Sequence, residues 1–127
     1  MLFRSSVLKY SKGKAFAHLG SVSTPDILVI IADFFNYVDG YDWVLISGNM
    51  GDKLVVIFRC DGYRKNAGKL AQKMFAQYGS AGGHREAARA EVSLKSLPLK
   101  PGSEFTTQTL MRLANVSETR GSDSPAK

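Results

Sequence analysis

A chain of 127 residues, 44% hydrophobic and 22% charged, has the size and composition of one globular domain, which excludes wholesale disorder. No apolar run approaches the roughly 18 residues a membrane helix needs, and Cys60, the only cysteine, excludes a disulfide framework and a cysteine-based zinc site. The net charge of +6 is uneven: residues 53–100 carry ten basic groups against Asp61, Glu86 and Glu91, whereas 21–52 carry five acids and no base, so the later half is where an anionic partner is expected.

Residues 1–14 read as a linker-like segment, because Arg4, Lys9, Lys12 and Lys14 interrupt any core face. No apolar stretch follows Arg4 and Lys9, so no signal peptide is expected. A reducing, cytoplasmic setting without a membrane partner is the corresponding expectation. Residues 15–22 suit a strand. Thr24-Pro25-Asp26 then has the residues of a helix start: a capping hydroxyl, a proline with a helix-compatible φ, and an acid at the positive end. Ile27, Leu28, Ile31, Phe34, Phe35 and Val38 follow at helical spacing, and Asp39-Gly40 ends the run.

Residues 43–47 and 53–60 read as two strands of a hairpin, joined by the turn formers 48–52. The second strand is apolar throughout from Leu54 to Phe58, as a strand covered on both faces would be. Asn66 suits a helix cap. Ala67, Leu70, Ala71, Met74, Phe75 and Tyr78 then form one helical face, with Lys69 and Lys73 on the other and Gly79 as the stop. A glycine-rich loop over 79–83 leads to a helical turn or two over 84–89 and a last strand over 91–94. Ser103 is a candidate cap for a short helix carrying Phe105, Leu110 and Leu113. Residues 15–97 thus form the domain, 98–115 a C-terminal extension and 116–127 a disordered tail. Alternating helices and strands give an α/β fold, a single domain with a mixed β-sheet of about four or five strands flanked by two or three helices.

Few residues carry chemistry. His18 and His84 are far apart, and the aspartates form no D-x-D cluster, so no metal site is expected within the chain. G-x-S-x-G is absent. The stretch 62–69 fails as a Walker loop, because five residues separate Gly62 from Gly68 and Leu70 stands where a hydroxyl is required. Cys60 ends an apolar strand and reads as a core thiol.

The stretch Gly79-Ser80-Ala81-Gly82-Gly83-His84-Arg85 suits an anion. Glycine allows close backbone approach, amides at a helix start attract phosphate, and Arg85 or Arg89 adds a charged fork. A plain helix cap with a loop is the alternative. Arg59, at the end of a buried strand, reads as pointing into a crevice at the sheet's end, or else as a rim arginine paired with Asp61.

In order, these features are an apolar helix, a W-x-x-L-x-S-G hairpin, an apolar strand ending in Arg59, Asn66-Ala67-Gly68-Lys69-Leu70, and Gly82-Gly83-His84 with Ala87-Ala88. The series resembles the C-terminal, DHH-associated domain of the DHH/RecJ-type phosphoesterases over residues 15–97. That family includes single-strand exonucleases, oligoribonucleases and exopolyphosphatase-related proteins. The resemblance implies that Arg59, Asn66, Gly82, Gly83 and His84 meet the phosphate of a nucleotide, short oligonucleotide or polyphosphate. It also implies an N-terminal domain that carries an Asp-His-His motif with manganese or magnesium. This chain has no such motif, so the metal-bearing half is expected to be missing and the chain alone to hydrolyse nothing. Ala81, Arg89 and Ile57 depart from the family pattern, where glycine, a motif-ending pair of alanines with glycine, and serine are usual. A stand-alone nucleic-acid-binding module and a regulatory or dimerisation domain, the latter a homodimer, are the alternatives.

Overall fold

The computed structural model describes residues 8–11, 13–39, 41–63, 65–100 and 102–123. The chain order is β1 (Leu8–Ser11), β2 (Lys14–Ser21), α1 (Asp26–Asp39), β3 (Trp43–Met50), β4 (Lys53–Cys60), α2 (Ala67–Phe75), β5 (Gly79–Gly83), β6 (Ala87–Ser93), a 3₁₀ turn at Leu94–Ser96, and α3 (Thr107–Asp123). The strands form one sheet in the order β1-β2-β3-β4-β6-β5. β2 and β3 run parallel across the α1 crossover, and the other neighbours are antiparallel. The α/β fold with a mixed sheet is therefore as expected, with six strands rather than four or five.

β4 explains the layering. Leu54, Val56 and Phe58 enter one core with Leu70, Met74 and Phe75 of α2 and Leu110 of α3. Val55 and Ile57 enter a second core with Leu28 and Ala32 of α1. Period-two alternation in an apolar run thus feeds two layers at once. β3 and β4 pair out to Met50 and Lys53, so the turn is only Gly51-Asp52. Gly48, expected in the turn, lies in β3, where a Cβ would approach Leu28 and Val22 to 3.1 Å. The Thr24 hydroxyl accepts the Asp26 N–H at 3.3 Å at the start of α1. On the outer flank of α1, Ile30, Phe34 and Tyr37 stand exposed.

Four local expectations give way. Residues 8–11, placed in the linker-like segment, form β1 against β2, and Tyr10 stacks on Tyr41 with centroids 5.4 Å apart. The glycine-rich loop is edge strand β5. The helical turn over 84–89 is replaced by β6, whose Ala88, Ala90 and Val92 alternate buried against exposed or half-buried neighbours. Alanine favours a helix locally, but the pairing of Ala88 and Ala90 with Phe58 and Val56 of β4 overrides that preference. The short helix of the extension begins at Thr107 rather than after Ser103, and it runs past the expected 115 boundary to Asp123. Residues 1–7, Gly40, Pro101 and 124–127, on which parts of these readings fall, lie outside the described residues.

Candidate functional site

The segments singled out from sequence meet at one end of the sheet, where β4 leads into α2 and β5 turns into β6. The turn over 84–86 caps α2. The Ala67 N–H donates to the Arg85 carbonyl at 2.7 Å and the Gly68 N–H to the His84 carbonyl at 2.9 Å. Asn66 Oδ1 accepts from the Lys69 N–H at 3.1 Å, and the Leu70 N–H reaches the Asn66 carbonyl. The first amides of α2 are thereby satisfied within the protein. The His84 N–H donates to the Ala87 carbonyl at 2.8 Å. The expected nest of amides at a helix starting from His84 is therefore not formed: His84 enters a β-turn, and its amide is taken.

The glycines have a packing reason. A Cβ on Gly68 would lie 2.7 Å from the Gly83 carbonyl oxygen, and one on Gly83, where φ is +152°, would lie 2.6 Å from the Ala87 oxygen. Gly68 thus lets α2 come this close to β5, and Gly83 lets β5 close on β6. Gly82 has more room, with the Gln72 amide 3.6 Å from its would-be Cβ.

Each of the three arginines singled out from sequence already has a partner. Arg59 shares the α1 face of β4 with Val55 and Ile57. Its Nε donates to Asp33 Oδ1 at 2.6 Å and its Nη1 to the Phe58 carbonyl at 3.0 Å. The partner is thus Asp33 of α1, not Asp61, whose carboxylate accepts the Tyr63 N–H. Arg59 pairs in register with Ala87, so its backbone is close to the His84 turn. The guanidinium is committed on the α1 face, and the His84 carbonyl is bound to α2 on the other. Arg89 forms an ion pair with Glu91. Arg85 holds the loop after β4, donating from Nε to the Gly62 carbonyl at 2.7 Å and from Nη2 to the Tyr63 carbonyl at 2.8 Å. This clamp has no local signal in the sequence, because 22 residues separate Arg85 from Tyr63. Cys60 is buried, its Sγ donates to the Arg85 carbonyl, and burial pushes the thiol pKa up, as befits an inert core thiol.

The available groups lie on the α2 flank. Lys69, Gln72 and Lys73 are exposed on successive turns, and Lys65 precedes the helix. None of the three lysines has an ion-pair partner among the described residues. Tyr63, held in the clamped loop, is 86% exposed, whereas Tyr78 is half-buried against the core. His84 is exposed beside this flank. Among the described residues, no group of three or more His, Cys, Asp or Glu side chains is placed to hold a metal ion. No helix among the described residues is long and apolar enough to cross a membrane.

No family model and no curated protein matches the chain. Solved structures do match in fold. The C-Ala domain of Aquifex aeolicus alanyl-tRNA synthetase superimposes with a TM-score of 0.62 at 17% identity, covering 86% of this chain and 96% of that one. A pGpG-specific phosphodiesterase from Vibrio cholerae superimposes with a TM-score of 0.54 at 13% identity, covering 90% of this chain. This chain spans 36% of that protein.

Proposed function

We propose that the chain binds single-stranded nucleic acid or short oligonucleotides by their phosphates, through the flank formed by α2, β5 and the clamped loop. One observation carries the reading: Lys65, Lys69 and Lys73 line this flank without acidic partners among the described residues, and the ring of Tyr63, two residues before Lys65, is exposed. Such lysines neutralise phosphates and release counterions, and an exposed ring stacks a base of any identity. Asn66 caps the helix that carries the lysines, and Gly68 lets that helix lie against Gly83 at the sheet edge, with Gly82 facing Gln72. His84 extends the surface, and Arg85 holds the Tyr63 loop in place, whereas Arg89, in register with Ile57 and paired with Glu91, lies on the α1 side of the sheet. Arg59 is held by Asp33 on the α1 face of the sheet. The occurrence of this fold in a tRNA synthetase and in a pGpG-specific phosphodiesterase supports the reading.

At finer grain, we infer the substrate-binding lobe of a DHH-type phosphoesterase whose metal-bearing domain lies outside this chain. The apolar flank of Ile30, Phe34 and Tyr37 on α1 favours this second reading, since a neighbouring domain would cover it. Fluorescence anisotropy of a short labelled single strand tests the first reading. Three lysine contacts give a slope of log affinity on log salt of about −2, and Lys69→Glu with Lys73→Glu lowers affinity at least about tenfold at low salt. Salt-insensitive binding, or binding unchanged by the reversal, would overturn it. For the lobe, the purified chain with manganese should leave the oligonucleotide intact. Turnover abolished by His84→Ala would contradict that division of labour.

A further inference from the structure

A second site lies away from the α2 flank, where the far ends of β2 and β3 meet the segment before α3. His18 of β2 is 8% exposed there and held from three sides. Its backbone N–H donates to Thr107 Oγ1 at 2.9 Å, its Nδ1 is 2.8 Å from Ser47 Oγ, and its ring packs edge-on against Phe105 with centroids 5.0 Å apart. Nε2, the other ring nitrogen, is buried with no hydrogen-bond partner among the described residues. Asn49 Oδ1 is in the same position. Asn49 follows Ser47 by two residues on β3, so both face the same side of the sheet, about 7 Å apart along the strand. An orphaned buried polar atom costs about 1–3 kcal/mol, and a polar group entering on this side of the sheet would satisfy both.

His18 and Asn49 line a cleft of about 1060 Å³. Leu94, Leu97, Leu99 and Phe105 give it an apolar wall, and Lys9, Lys95 and Lys100 surround it with Glu104 as the one acid. The first residues of the 17-residue helix α3, Thr107 and Gln108, also line it, so the positive end of the helix dipole faces the cleft. Burial holds His18 at a pKa of about 4, so near neutral pH its imidazole is uncharged and acts as a hydrogen-bonding edge. The site thus offers cationic groups for an anion, an apolar wall for a flat ring, and two unpaired atoms for that ring's polar edge.

We propose that this cleft binds a mononucleotide, with the base edge on His18 Nε2 and Asn49 Oδ1, the base against Phe105 and the leucines, and the phosphate toward Lys95, Lys100 and the start of α3. The site is separate from the α2 flank and does not rest on the oligonucleotide reading.

The test uses the full chain, with AMP, GMP, CMP and UMP as probes and inorganic phosphate alongside. Calorimetry gives affinity, and heteronuclear NMR locates binding. At least one mononucleotide should bind, moving the resonances of His18, Asn49 and Phe105. His18→Phe should weaken binding at least about tenfold, the equivalent of one lost hydrogen bond to a buried partner. Lys95→Glu with Lys100→Glu, both exposed and outside the core, should weaken it similarly and serves if His18→Phe does not fold. The proposal is overturned if no mononucleotide binds, if the perturbed resonances lie on the α2 flank, if the lysine reversal leaves affinity unchanged, or if inorganic phosphate binds as tightly as every nucleotide.

Discussion

His18 should make stability depend on pH in a defined window. Burial lowers its pKa from the ordinary 6.5 to about 4 in the folded chain. Between those values the unfolded chain takes up a proton that the folded chain does not. Stability is therefore undiminished above about pH 6.5, falls as pH drops, and levels off for this group below about pH 4. The full loss is roughly 3 kcal/mol at 1.36 kcal/mol per pH unit, of which about 2 kcal/mol is gone by pH 5. Urea unfolding followed by the fluorescence of buried Trp43, the only tryptophan, reads this directly. With a slope of about 1–3 kcal/mol per molar urea, the midpoint drops by roughly 1 M between pH 7 and pH 5. His18→Gln keeps an amide able to meet Ser47 but cannot titrate. Glu104 and the cleft lysines are common to both proteins, so the difference between the two pH profiles isolates His18. Profiles that run parallel from pH 7 to pH 5 would refute the reasoning.

Gly68→Ala should destabilise the fold by about 2–3 kcal/mol, since its methyl would press on the Gly83 carbonyl, and thermal unfolding measures it. Tyr63→Ala should weaken single-strand binding by about 1–3 kcal/mol while leaving the unfolding midpoint nearly unchanged, because the ring is exposed. Arg85→Ala should weaken the same binding less than Tyr63→Ala does, through a loosened loop, and raise amide hydrogen exchange at Tyr63. Asp33→Ala should change stability by no more than about 1 kcal/mol, since the carboxylate is more than half exposed.

Much of the fold was legible because packing obeyed local periodicity. The run Leu54 to Phe58 announced a strand with two buried faces, and the helical face from Ala67 to Phe75 announced what α2 would cover. The misreadings arose where long-range pairing decides. Ala87-Ala88 favours a helix in isolation and becomes a strand only because β4 lies beside it. Gly79 to Gly83 has turn composition, yet forms a sheet edge because it pairs with β6, whose backbone a Cβ at Gly79 or Gly83 would strike. The candidate site was legible in its location but not in its bonding. Arg59, Asn66 and the Gly-Gly-His turn do gather at one sheet end, but Asp33 and the Ala87 carbonyl occupy the groups expected to meet an anion. Those partners lie on other elements, and no spacing rule points to them. His18, set aside as a lone histidine, gains meaning only from Ser47, Phe105 and Asn49 around it.

The hydrogen bond from the His18 backbone to Thr107 spans 89 residues of chain. It fastens α3 to β2 only after nearly every other element has been made, so α3 should settle late in refolding, with the slow closure that distant contacts impose. Until it settles, Phe16 and His18 lack their cover from Phe105 and Leu110. Nascent chains released short of Thr107 would carry this bare apolar patch beside β1, the strand at one margin of the sheet, and would be prone to clump.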